Sequence, residues 1–286
     1  MTTEQIEAQK DEEKKSFFSV IVHSFFIIPF LIAVFCVMLF AAINLLTQEK
    51  RTAKDYLNDV KIGGSTKRWQ AAFELSKILA NPKLLPKQEN FYDELISTFE
   101  HATTDDNRVR QYLALAMGRT GKKEFVKPLI NGLVDEKEEN LAALIYALGM
   151  LKDKEALEAI NPYVDHPNAR IRSTAVVALG NIGDGESKNI LIKALADPEP
   201  NVEWGAAISL AQLGDNSGKQ TLLQLLNRDY LSKFSEVDMD EQTNLMLTTL
   251  EAITHLQDSD LTKRIEELSR TDQNMKIRSA ALKILK

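Results

Sequence analysis

One cysteine, Cys36, stands in the whole 286-residue chain; this excludes a disulfide framework and any zinc site built on paired thiols. Histidine is almost as scarce. His23, His101, His166 and His255 are the four, followed by Ser24, Ala102, Pro167 and Leu256, so no histidine-rich constellation is present to hold a metal. No basic tract interrupts the balance of 41 acidic against 35 basic side chains, which excludes a row of phosphates, and with it nucleic acid, as partner. A nucleophile motif is missing too. The glycines between Gly180 and Gly185 follow a helical pattern where a dinucleotide site needs a strand. These absences leave no catalytic, cofactor-binding or metal residue to name, and the expectation they set is a protein that is not an enzyme and carries no cofactor.

What is present begins with a long apolar run. Residues 16–48 contain no charged side chain, and residues 17–46 as a helix would extend roughly 45 Å at 1.5 Å per residue, enough for one crossing of a hydrocarbon layer about 30 Å thick. The apolar core of a secretory signal is shorter, about 7–15 residues, and ends at a small-residue cleavage site, which this run does not do. The division expected is an acidic polar tail over 1–16, a single transmembrane helix over 17–46 kinked at Pro29, and a juxtamembrane helix over 47–64 stopped by Gly63 and Gly64. Lys50, Arg51, Lys54, Lys61, Lys67 and Arg68 follow the run, against Lys10, Lys14 and Lys15 before it. That excess predicts a single-pass protein of a bacterial inner (plasma) membrane with its C-terminal part in the cytoplasm.

Beyond residue 64 the sequence repeats every 31 residues. Gly118, Gly149 and Gly180 recur at that interval, as do Ala116, Ala147 and Ala178, then Met117, Leu148, Leu179 and Leu210. A second set keeps the same phase: Leu129, Ile160, Leu191 and Leu222. Each unit reads as two helices and a short turn, with glycine ending the first helix. A helical hairpin cannot bury both of its apolar stripes alone, so stacked units cover one another. The fold expected over 65–286 is an all-α superhelical solenoid of six hairpins and a terminal half, with an insertion near 229–238 and a second helix shortened by Pro162.

The stretch from Ile171 through Arg172, Ala175, Ala178, Leu179 and Gly180 to Asp184, continued by Leu191, Leu195, Asp197 and Pro198, resembles the HEAT repeat in its phycobilisome-lyase-like subtype. The likeness covers about 66–286 and departs from the pattern at Leu141 and Glu203, where the customary Arg is missing. Solenoids of this kind are in general protein-binding scaffolds, while a few relatives attach bilin chromophores.

The resemblance places the second helices on the concave side. Lys127, Asn131, Glu158, Lys188, Lys193, Gln220 and Gln224 are among the polar residues there that stacking does not need, and the insertion adds Tyr230, Leu231 and Phe234 as an aromatic docking element, or as a loop that folds back on its own repeat. Trp69 and Trp204 read as packing residues. The function expected is a non-catalytic, membrane-tethered scaffold or adaptor that recruits or braces a protein partner such as a membrane complex; the alternative is a bilin or tetrapyrrole lyase-like enzyme or chaperone.

Overall fold

The computed structural model describes residues 26–47, 51–134 and 136–285, with side chains omitted for 44–47 and His255. Two units divide at Arg51 and Thr52. The first contributes α1 (Ile28–Thr47), which carries no charged residue, and the large apolar side chains from Phe26 to Ile43 are mostly exposed. Pro29 stands just after a π-helical stretch at residues 26–27, where that stretch passes into the α-helix. Among the described residues no helix is long and apolar enough to cross a membrane. The single-pass span expected at 17–46 is therefore not shown, and its residues 17–25, like the acidic tail, lie outside the described ones.

The second unit contains helices and turns, with no strand among the described residues. It opens with α2 (Ala53–Ile62), started by a capping box in which Thr52 accepts from the Asp55 N–H and the Asp55 carboxylate accepts from the Thr52 N–H. Ala53, Leu57 and Val60 on its inner face are buried against the first helix of the first hairpin. The segment expected as a linker thus covers the open end of the stack.

Hairpins follow in file. The first helices are α3 (Ser65–Ile78), α5 (Asn107–Arg119), α7 (Glu138–Leu151), α9 (Ala169–Ile182), α11 (Pro200–Gln212) and α14 (Met239–Ala252). Their partners are α4 (Glu89–His101), α6 (Val126–Gly132), α8 (Leu157–Ile160), α10 (Lys188–Ala194), α12 (Lys219–Leu225) and α15 (Ser259–Thr271), with α13 (Arg228–Leu231) inside the insertion and α16 (Met275–Ile284) as the last single helix. Pro162 acts as expected: α8 stops after one turn and the chain continues as a 3-10 helix, Asn161–Asp165.

The recurring glycines do something other than end helices. Gly118, Gly149 and Gly180 lie inside α5, α7 and α9, and a Cβ at Gly118 would sit 2.8 Å from the Ala147 Cα, one at Gly149 2.7 Å from the Ala178 Cα. They let successive first helices touch backbone to backbone. The helix-ending role belongs three residues later to Gly121, Gly183 and Gly214, all at positive φ; Lys152, at the same register, takes φ 53°.

Candidate functional site

Charge is organised by the same period. Asp153, Asp184, Asp215 and Asp258 each accept from the backbone N–H two residues on, at 2.8–3.1 Å, and so shape the turn between the two helices of their hairpin. Each also meets a lysine of the hairpin before it: Lys123 at 2.9 Å, Lys154 at 2.5 Å, Lys188 at 3.5 Å and Lys219 at 2.9 Å. The lysine ammonium and then the turn N–H hold Asp153 and Asp184 below the usual carboxylate range. At Asp215 the Ser217 hydroxyl has the largest share of the same effect. The sequence carries the signal for this ladder, since Asp153, Asp184 and Asp215 stand 31 residues apart.

A second set of ion pairs closes hairpins from within. Arg110 bonds Glu136 at 2.8 Å with both side chains about 5% exposed, donates to the Phe99 carbonyl and stacks on the Phe99 ring. Arg172 holds Asp197 at 2.8 and 2.9 Å. Where the customary Arg is absent, Leu141 is buried and Glu203 instead accepts from the Thr221 hydroxyl at 2.8 Å.

The insertion folds back. Leu231 is fully buried, the Phe234 ring sits edge-on to Trp204 with centroids 4.8 Å apart, and Tyr230 packs edge-on to Phe234 at 5.3 Å. The Trp204 indole N–H donates to the Tyr230 hydroxyl at 3.3 Å. Trp204 is buried at 4% exposure and Trp69 is half-buried with Arg108 over its ring. Of the second-helix positions, Lys127, Asn131 and Lys193 are exposed and Lys188 and Gln224 half-buried. Lys193 pairs with Asp165 at 3.0 Å and Lys188 with Asp215.

Trp204 of that aromatic trio lines an open cleft of about 470 Å³ between α9, α11 and α14. Val177, Trp204, Gly205, Ile208 and Leu245 give it an apolar floor, while Arg170, Ser173, Thr174, Glu199 and Asn201 ring it. A mostly apolar hollow with a few polar groups at its edge is the usual form of a site for an organic ligand. Sequence reading missed it, because its walls come from helices that only the stacking brings together. No group of His, Cys, Asp and Glu suited to a metal occurs among the described residues.

A family profile for HEAT repeats matches residues 160–236, the stretch that contains α9, α11 and most of the insertion. The bilin biosynthesis protein PecE of Nostoc sp. strain PCC 7120 is 32% identical over 113 residues, which cover 40% of this chain and 41% of PecE. Among solved structures, the complex of CpcE and CpcF of phycocyanin lyase from Nostoc sp. PCC7120 superposes with a TM-score of 0.62 at 22% identity, covering 84% of this chain and 88% of that one. The chain carries HEAT repeats over residues 160–236 and is similar in part to PecE. The HEAT chain spans about two-fifths of the curated relative it matches.

These relatives overturn two expectations, that of a non-catalytic membrane-tethered scaffold and that of a protein that is not an enzyme. The reason lies in what absence of motifs excludes. The lack of thiol pairs, histidine clusters and phosphate loops does not exclude an enzyme that binds and orients a large pigment, which needs only a shaped hollow and a few polar contacts. The alternative, a bilin lyase-like protein, is the reading the relatives favour.

Proposed function

We propose that this HEAT-repeat protein is a bilin lyase-type protein that binds a linear tetrapyrrole and presents it to an acceptor protein. The observation that carries the reading is the 32% identity to the bilin biosynthesis protein PecE over 113 residues, and the likeness of fold to CpcE agrees with it. The solenoid, residues 52–286, contains no cysteine, so it offers the pigment no thiol of its own. Its contribution is to hold and orient the tetrapyrrole while an acceptor side chain takes the bond. CpcE is solved together with CpcF, which supports a protein partner for this chain as well.

The experiment is pigment attachment in vitro. The purified chain, alone and with candidate partner chains, is incubated with a linear tetrapyrrole and an apo-phycocyanin subunit, and visible absorbance of the acceptor is read after denaturation. Pigment that stays on the acceptor only when the chain is present supports the reading. Absence of both binding and attachment with every partner tried overturns it.

We also propose that the run 16–48, uncharged throughout, anchors this lyase-type protein at the inner membrane with the solenoid in the cytoplasm, on the strength of Lys50, Arg51 and Lys54 after it. Alkaline phosphatase fused at the C-terminus should stay inactive in intact cells. Strong activity would reverse the orientation, and recovery of the chain in the carbonate-washed soluble fraction would remove the anchor.

A further inference from the structure

Gly205 breaks the rule that the other helical glycines of the stack obey. A Cβ at Gly118, Gly149 or Gly180 would meet the neighbouring helix at under 3.0 Å, whereas one at Gly205 would find its nearest atoms, Val177 Cγ2 and Val176 Cγ1, at 3.4 and 3.6 Å. That is ordinary contact, so packing does not demand glycine here, and a glycine inside a helix costs about 1 kcal/mol against alanine. What the missing side chain leaves is open floor in the cleft between α9, α11 and α14.

The rim carries a second departure from the repeat. In the hairpin that begins at Asp106, Arg108 is neutralised by the Asp106 carboxylate at 2.6 Å. At the same two places 62 residues later stand Asn168 and Arg170. The Asn168 side-chain oxygen accepts from the Arg170 backbone N–H at 2.9 Å and its amide N–H donates to Glu138 at 2.8 Å. The Arg170 guanidinium is exposed and makes no ion pair with a described residue. Glu199 is the one acidic side chain at the rim.

We propose that this cleft is the seat of the tetrapyrrole on this chain: the pyrrole rings lie on Val177, Gly205, Ile208 and Leu245, and Arg170 pairs with a propionate carboxylate. The proposal rests on the tetrapyrrole reading above and adds the place and the anchoring charge. A linear tetrapyrrole is flat, apolar over most of its surface and carries two carboxylates. An apolar floor with one unneutralised guanidinium at its edge matches those features, and arginine is suited to planar, two-pronged carboxylate contacts.

The test uses the full chain in mild detergent with biliverdin as probe and visible circular dichroism as readout, since the pigment gains one handedness only in a fixed asymmetric site. Wild type should give a saturable signal. Gly205→Leu, which fills the floor, should weaken binding ten-fold or more with far-ultraviolet dichroism unchanged. Arg170→Gln, at an exposed position that cannot unfold the stack, should weaken biliverdin about ten-fold and leave its dimethyl ester unaffected. If both variants titrate like wild type, the pigment sits elsewhere and this proposal falls while the tetrapyrrole reading stands. If wild type gives no saturable signal with biliverdin, this proposal falls, and the tetrapyrrole reading is decided by the attachment experiment above.

Discussion

Glycine in this chain has opposite meanings at neighbouring places, and stability can tell them apart. Alanine at Gly149 would bring a Cβ to 2.7 Å from the Ala178 Cα, and backbone cannot swing aside as a long side chain can. The overpacking cost of about 1–3 kcal/mol exceeds the gain of about 1 kcal/mol in helix propensity. Urea midpoints should therefore fall for Gly149→Ala and rise slightly for Gly205→Ala; equal shifts would refute the close-contact account. The ladder aspartates give a pH signature of known sign. Asp153, Asp184 and Asp215 all have folded values held below the ordinary one, so their contribution is complete above the unfolded pKa of about 3.9. It is lost as pH falls through the depressed folded values. Asp184→Asn can still accept from the Glu186 N–H but cannot hold the charge of Lys154, so its stability should be lower at neutral pH and decline less steeply below about pH 4. Urea melts across that range check it, and a slope equal to that of wild type would sink the idea.

At the scale of elements, the insertion after α12 decides what the fifth hairpin can do. Phe234 and Tyr230 lie edge-on to Trp204, and they pack there instead of reaching outward as a docking loop. Phe234→Ala in a Trp69→Phe background should expose the indole edge of Trp204, shifting its emission to the red and lowering stability by about 1–3 kcal/mol, less than the truncation of a fully enclosed phenylalanine. An unshifted spectrum would mean that the insertion packs elsewhere. The 31-residue period made the hairpins legible before any coordinates, because stacking imposes like residues at like depth. The resemblance to the HEAT repeat marked Leu141 and Glu203 as departures. The period did not reveal whether a repeated glycine ends a helix or meets one: Gly118 and Gly121 are equally regular, and only the distance to the Ala147 Cα and the positive φ of Gly121 separate them. The cleft stayed hidden for a related reason. Gly205 and Asn168 look like ordinary drift within a repeat, and they gain meaning only beside Val177 and Arg170 in space.

For the molecule as a whole, the question is where the stack begins. Repeat arrays expose an apolar face at each end unless a cap covers it, and the first hairpin would present Leu75 and Leu79, both fully buried. The helix α2 supplies the cover at that end, with Leu57 at 1% and Val60 at 0% exposure. Lys67 reaches back to Asp59 at 2.7 Å and the Arg68 guanidinium donates to the Val60 carbonyl at 2.6 Å. Each fully buried Leu or Val is worth about 1.5–3 kcal/mol, which is large beside a net stability of about 5–15 kcal/mol for a domain. Residues 52–286 should accordingly fold by themselves into a cooperative, monomeric body, whereas a chain starting at residue 65, where the period alone sets the boundary, should melt at lower temperature and associate through its uncovered end. Size-exclusion chromatography with light scattering, followed by thermal melts of the two fragments, reads both effects. Identical melts and equal monodispersity would show that α2 is an appendage and that the first hairpin closes the array unaided.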